Sequence, residues 1–171
     1  MTSSRCRPDR ASLGCRQRLR FAVVRRAAAM KVPDVNLLLY ALDQSSPHHD
    51  GARSWLEDVL SGQETVGFSW TVLLAFLRLS TRGRIFENPL APGDAFDVVD
   101  GWLAQPCTIV VQPTDRHAAI LRGLIEPLGT AGNLTSDAHL AALAIEHGGE
   151  ICSADTDFAR FRGLRWTNPL A

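Results

Sequence analysis

From Lys31 onward the chain alternates short runs of β-forming residues with longer segments of helical periodicity, and this alternation restricts the possible folds more than any other feature. Lys31–Val35, Thr65–Phe68, Thr108–Val111 and Glu150–Ser153 read as strands, with Leu164–Trp166 as a final edge strand. Helical spacing occupies Asn36–Leu42, His48–Leu60, Trp70–Thr81, Asp94–Ala104, Thr114 to about Glu126, and Asp137–His147. Ser69, Thr114 and Ser136 stand where helices open, and Gly148-Gly149 stands where one stops. Strands joined through helices imply right-handed crossovers and a mostly parallel sheet, hence an α/β domain. Pro33 cannot donate to a ladder, so it must occupy a position whose N–H would be unpaired.

The charge balance divides the chain in two. Residues 1–29 hold eight of the 18 basic residues, all arginine, and one of the 18 acids, Asp9. The remainder keeps ten basic and 17 acidic residues, a net charge of −7. We expect residues 1–29 to be a disordered basic extension, with Met30 as the natural start. An Arg-rich organelle transit peptide is the minor alternative. Residues 30–171 form the folded domain, and the 46% hydrophobic share of the chain supplies a core. The acidic domain argues against a broad basic grip on nucleic acid, so any such contact must be local.

Cys6, Cys15, Cys107 and Cys152 form no CxxC pair and stand at no zinc-finger spacing from a histidine, a usage that fits a reducing cytoplasm. Cys107 and Cys152 read as small buried hydrophobes. No apolar run reaches the ~18 residues that a membrane span requires. Arg25 and Arg26 interrupt Phe21–Met30, so no signal-peptide core is present.

Parallel sheets gather their working groups at the carboxyl ends of strands. Asp34 ends the first strand, Asp155 follows the fourth, and Asp137 lies at a helix N-terminus. Each acid alone has an ordinary role as a cap, a first-turn acid or a turn residue. Gathered in one pocket they would repel one another and call for a cation. Oxygen ligands favour Mg²⁺, with Mn²⁺ as the alternative, and the matching reaction is phosphodiester hydrolysis.

Three segments carry a resemblance. Pro33-Asp34-Val35-Asn36-Leu37-Leu38-Leu39-Tyr40-Ala41 is similar to the opening motif of the PIN domain. Ser136-Asp137-Ala138-His139-Leu140 resembles its third acidic motif, and Cys152-Ser153-Ala154-Asp155-Thr156-Asp157-Phe158 its last. The resemblance covers residues 30–171 and is strongest to the VapC-type toxins of bacterial type II toxin–antitoxin pairs. It implies a three-layer α/β/α fold and a Mg²⁺-dependent endoribonuclease acting on tRNA, rRNA or mRNA. It also implies a VapB-type antitoxin and a homodimer. Asp34, Asp137 and Asp155 inherit the metal role, with Asn36 and Ser153 as supporting groups and Asp157 as a further acid.

One position departs from the family pattern. The family carries a glutamate in the helix after the second strand, and here Phe76, within Leu74-Ala75-Phe76-Leu77-Arg78, aligns with it. Glu64 and Glu87 lie outside that helix. A catalytically weak or inactive module that binds RNA or protein is therefore the competing reading. An aspartyl-nucleophile phosphatase ranks below both, because Asn36 stands where its second Asp would be. Arg78, Arg160 and Arg162 are the candidate phosphate contacts. Trp55, Trp70 and Trp102 read as core, His48-His49 as a solvated helix start, and His139 with Glu146 as one exposed stripe.

Overall fold

A computed structural model describes residues 30–83, 86, 88–130 and 132–171. The expected extension, Cys6, Cys15 and Glu87 lie outside the described residues. Five strands form one parallel sheet: β1 (Lys31–Pro33), β2 (Val66–Ser69), β3 (Thr108–Val111), β4 (Glu150–Cys152) and β5 (Trp166–Thr167). Their order is β3-β2-β1-β4-β5, and every neighbouring pair runs parallel, as alternation with helices requires. The helices are α1 (Val35–Leu42), α2 (His49–Ser61), α3 (Trp70–Ser80), α4 (Pro92–Leu103), α5 (His117–Ile125) and α6 (Thr135–Glu146). Among the described residues, no helix is long and apolar enough to cross a membrane.

Local chemistry explains the boundaries. The first strand ends at Pro33 rather than Val35, because Asp34 caps α1 and its side chain accepts the Val35 N–H. Pro33 ends a central strand. Lys31 donates its N–H to Thr65 of the β2 side, so by alternation the Pro33 nitrogen faces the same side. The β1–β2 ladder has a single register pair there, Lys31 with Val66, while β1 and β4 align over three. α4 opens two residues earlier than Asp94, at Pro92, where a proline at the first helical position costs no hydrogen bond. α6 opens at Thr135, one residue before Ser136, after a short 3₁₀ turn. Gly148, at φ +64, ends it.

The core lies on both faces of the sheet. Phe68, Phe76, Leu73, Val66 and Leu143 are fully or almost fully buried. Trp102 stacks on Phe68 with ring centroids 5.8 Å apart and meets Phe76 edge-on at 4.7 Å. A Cβ on Gly67 would lie 2.8 Å from Met30 Sδ and 2.9 Å from Val111 Cγ1, so only glycine allows this contact beneath the sheet. Two expectations about burial fail. Trp70 is 45% exposed. α6 has no exposed His139–Glu146 stripe, because most of its residues from Ala138 to Glu146 are buried.

Candidate active site

Asp34 is the last extended residue after β1. Its N–H donates to the Cys152 carbonyl at 2.9 Å, and the chain then turns into α1. Its carboxylate is almost fully buried, and both oxygens are engaged. Oδ1 accepts the Val35 N–H at 2.7 Å, and Oδ2 accepts the Ser153 hydroxyl at 2.8 Å. Asp34 therefore caps α1 through one oxygen and meets Ser153 through the other, so capping does not exclude a role in the site.

Ser153, completely buried just past β4, is the hub of this arrangement. Its Oγ donates to Asp34 and accepts from Asn36 Nδ2 at 2.9 Å and from the Asp155 N–H at 3.0 Å. Asn36 closes the circuit by accepting the Ala154 N–H at 3.4 Å. The carbonyl of Ser153 accepts the Trp166 indole N–H at 3.0 Å, which ties β5 to the same turn. Asn36 and Ser153 thus hold the two chain segments that carry Asp34 and Asp155.

Asp155 is exposed and caps the 3₁₀ turn Thr156–Arg160, accepting the Asp157 N–H at 2.9 Å. Asp137 sits in the first turn of α6 and is half-buried. A helix N-terminus alone would favour its ionised form. Burial and the charges of Asp34, Asp155 and Asp157 outweigh this and push its carboxyl up to about 6. Burial also raises Asp34, with a contribution from Asp155, against the opposing hydrogen bonds from Ser153 and Val35. The four acids therefore share one electrostatic field.

This donor set has the chemistry of a hard-cation site, with oxygen ligands only and a charge that the protein compensates only at Asp157, through Arg160. Among the described residues, no group of three or more His, Cys, Asp or Glu encloses a metal position by itself. Mg²⁺ requires less than that, since it commonly takes one or two carboxylates and completes its shell with water and phosphate oxygens. The residues fit that mode.

A cavity of about 430 Å³ opens beside Asp34, lined by Val35, by Thr71, Leu74, Ala75 and Arg78 of α3, and by Ser136 and Leu140 of α6. Of the neighbours Ala75 and Phe76, Ala75 lines this space. Phe76 points into the core, fully buried against Trp102. The position aligned with the family glutamate therefore does not reach the cavity, and the α3 residues that line it carry no carboxylate. Of the three candidate arginines, Arg78 shares the cavity with Asp34. Arg160 pairs with Asp157 at 3.4 Å, and Arg162 is exposed in the following turn.

A second polar cluster was not anticipated. The Glu146 carboxylate accepts from the N–H and hydroxyl of Thr114 and bonds the His117 ring. His117 Nε2 lies 2.9 Å from His139 Nδ1. Thr114 also accepts the Arg116 N–H, so it shapes the turn before α5 rather than capping the helix directly.

The PIN domain family model matches residues 31–164. Ribonuclease VapC37 of Mycobacterium tuberculosis is 49% identical over 142 residues, covering 83% of this chain and 99% of that protein. Ribonuclease VapC33 of the same species is 45% identical over 141 residues, covering 82% and 99%. Among solved structures, VapBC2 from Rickettsia felis bound to a promoter DNA fragment aligns with a TM-score of 0.60 at 19% identity, covering 81% of this chain and 98% of that one. VapBC-1 from nontypeable Haemophilus influenzae aligns with a TM-score of 0.61 at 11% identity, covering 83% and 99%. These two structural matches share the fold.

Proposed function

Because the chain belongs to the PIN-domain family, we propose that it is a metal-dependent endoribonuclease, the toxin of a type II toxin–antitoxin pair, which hydrolyses RNA phosphodiester bonds. One observation carries this reading: Asp34, Asp137 and Asp155 share a field in a chain 49% identical to a protein named a ribonuclease along almost its whole length. Bound Mg²⁺, or Mn²⁺, would supply Lewis acidity and a water acidic enough to attack phosphorus near neutral pH.

The chain's own residues have separable tasks. Asp34, locked by Val35 and Ser153, provides the fixed ligand. Asp137 and Asp155 add the charge that retains the cation, and Asp157 contributes from the adjacent turn. Asn36 and Ser153 hold the geometry without touching substrate. Arg78, across the cavity, receives a phosphate oxygen, whereas Arg160 is engaged with Asp157 and Arg162 stands farther along the chain. The proposed partners are an RNA (tRNA, rRNA or mRNA), a VapB-type antitoxin and a second copy of the chain, all in the cytoplasm.

The test is cleavage of a mixed RNA pool with Mg²⁺ or Mn²⁺, repeated with excess chelator, with Asp34→Asn and with the antitoxin added. Cleavage that survives chelation would refute the metal-dependent mechanism. A second reading, a PIN-like module that binds RNA or protein without cutting, is favoured by one feature, the absence of a carboxylate among the α3 residues that line the cavity. Tight RNA binding with no cleavage at any metal concentration would select it.

A further inference from the structure

The nuclease reading uses Asp34 and Arg78 but leaves the cavity between them unexplained. Its volume of about 430 Å³ falls in the range of sites that enclose a small organic ligand, roughly 300–1,000 Å³. Its walls are mixed in a specific way. Val35, Val72, Leu74, Leu79 and Leu140 supply apolar surface, and Thr71 and Ser136 supply hydroxyl groups. Among the described residues, Arg78 takes part in no ion pair. Leu74 is 59% exposed, a large apolar side chain left in solvent at this cavity.

We propose that this cavity is a nucleoside subsite: it receives the base and sugar of the nucleotide that flanks the scissile phosphate, and so selects single-stranded RNA by the base at that position. The inference rests on the nuclease reading. With a phosphate held at Asp34 through a cation, the adjoining base must lie in solvent or in this space. A base needs an apolar surface against its faces and hydrogen-bonding groups at its edges. Leu74, Leu140 and Val72 provide the first, and the Thr71 and Ser136 hydroxyls the second. Arg78 offers a cation to the next phosphate, or its guanidinium plane to the base. The small side chain of Ala75 keeps the space open. Trp70, one turn before Leu74 on the same side of α3 and 45% exposed, gives the next base a surface to stack on. A duplex cannot deliver a base into this space without unpairing it, hence the preference for single strands.

The test has two parts. The full chain, isotope-labelled and free of divalent metal, is titrated with AMP, GMP, CMP and UMP. The expected result is amide shifts at Thr71, Ala75 and Ser136, with one nucleotide acting at clearly lower concentration than the others. No shift at these residues with any nucleotide at millimolar concentration would overturn the subsite. Next, Ala75→Leu narrows the cavity. It should raise KM for RNA by about tenfold and blur the cleavage-site preference, while Mn²⁺ binding followed by electron paramagnetic resonance stays as in the unmodified chain. Thr71→Val and Ser136→Ala alter hydroxyls at the cavity wall and should shift the base preference even where Ala75→Leu fails to fold. Unchanged KM and preference in these variants, with metal-dependent cleavage intact, would overturn the subsite and leave the nuclease standing. Nucleotide shifts without any RNA cleavage would remove the nuclease reading and, with it, a subsite that flanks a scissile phosphate. Loss of antitoxin binding in Ala75→Leu, with RNA affinity and nucleotide shifts unaltered, would assign the cavity to a protein and overturn the proposal.

Discussion

Asp34 and Glu146 are buried to almost the same depth, 9% and 8% exposed, yet the protein treats their charges in opposite ways. Burial pushes the Glu146 carboxyl up, but the Thr114 hydroxyl and N–H and the His117 ring together hold it below the usual carboxylate range. Burial pushes Asp34 up as well, and there the Ser153 and Val35 donors are too few, with Asp155 adding repulsion. Glu146 is a charge the fold has already neutralised, and it holds the turn before α5 to the end of α6. On the proposed reading, Asp34 is a charge left for a cation. The contrast is the one expected between a structural acid and a metal-binding one.

The largest effect should come from removing the functional acid. Asp34→Asn should lower RNA cleavage roughly a thousandfold, about 4 kcal/mol in the activation barrier. Its stability in metal-free buffer should match or exceed that of the unmodified chain, because a buried charge with an acidic neighbour is gone. Urea unfolding beside initial-rate measurements separates the two quantities. Equal cleavage by both proteins would leave Asp34 as a helix cap only.

The structural acid should behave in the reverse sense. Glu146→Ala leaves the Thr114 N–H and the His117 ring without their acceptor in the interior, which should cost about 3 kcal/mol of folding free energy. Added Mg²⁺ should not restore the loss, since Glu146 is not among the acids that raise Asp137. Glu146→Gln keeps an acceptor and should lose less. A midpoint within error of the unmodified chain would show that Thr114 and His117 find other partners.

The two acids also differ in how well they can be read from sequence. Asp34 is legible because the β-to-helix alternation places it at a strand end, and Ser153 on the neighbouring strand's end reaches it, held in turn by Asn36. Glu146 is not legible. Its helix, α6, has its apolar residues spread around much of its circumference, with Ala138, Ala141, Ala142 and Ala144 all buried. Helical periodicity detects one-sided burial, so a carboxylate on such a helix is misread as exposed. The partners of Glu146 lie 29 and 32 residues away, at His117 and Thr114, which local spacing cannot reveal. The Phe76 and Ala75 assignments differ for a related reason. A shift of one residue turns a helix by about 100°, so of two neighbours on α3 one is a core side chain and the other lines the cavity. Trp70 is exposed because it opens α3 past the carboxyl end of β2, beyond the core that its size suggests.

That correction yields a smaller, sharper test. Ala75→Glu places a carboxylate in the cavity that holds Asp34, and should tighten Mn²⁺ binding in the absence of RNA by about tenfold, or ~1.4 kcal/mol. Without metal, the added charge should lower stability. Phe76→Glu instead puts a charge among Phe68 and Trp102 and should unfold much of the protein. Calorimetric titration of Ala75→Glu and the unmodified chain decides the matter. Equal affinities would mean that position 75 does not reach the cation.

The smallest effect is a pH dependence at Asp137, where partial exposure lets solvent screen much of the repulsion. Its folded carboxyl titrates at about 6, above its ordinary value of 3.8. Its ionised form is therefore less favourable in the folded chain than in the unfolded one. The stability gained from holding the proton is fully present below about 3.8 and is lost as pH rises through about 6. Asp137→Asn removes this loss. In metal-free buffer the variant should be more stable than the unmodified chain at pH 7.5, and the advantage should shrink as pH falls from 6 toward 4. Mg²⁺ should reverse the order at pH 7.5, since binding to the unmodified site stabilises the fold and the variant has lost a ligand. Glu146, held below the ordinary range, contributes in the opposite direction and loses its share at the acidic end, so the comparison is made between the two proteins at each pH, where that share cancels. A difference independent of pH would show that the acids around Asp137 do not share a field, and the case for a common cation site would go with it.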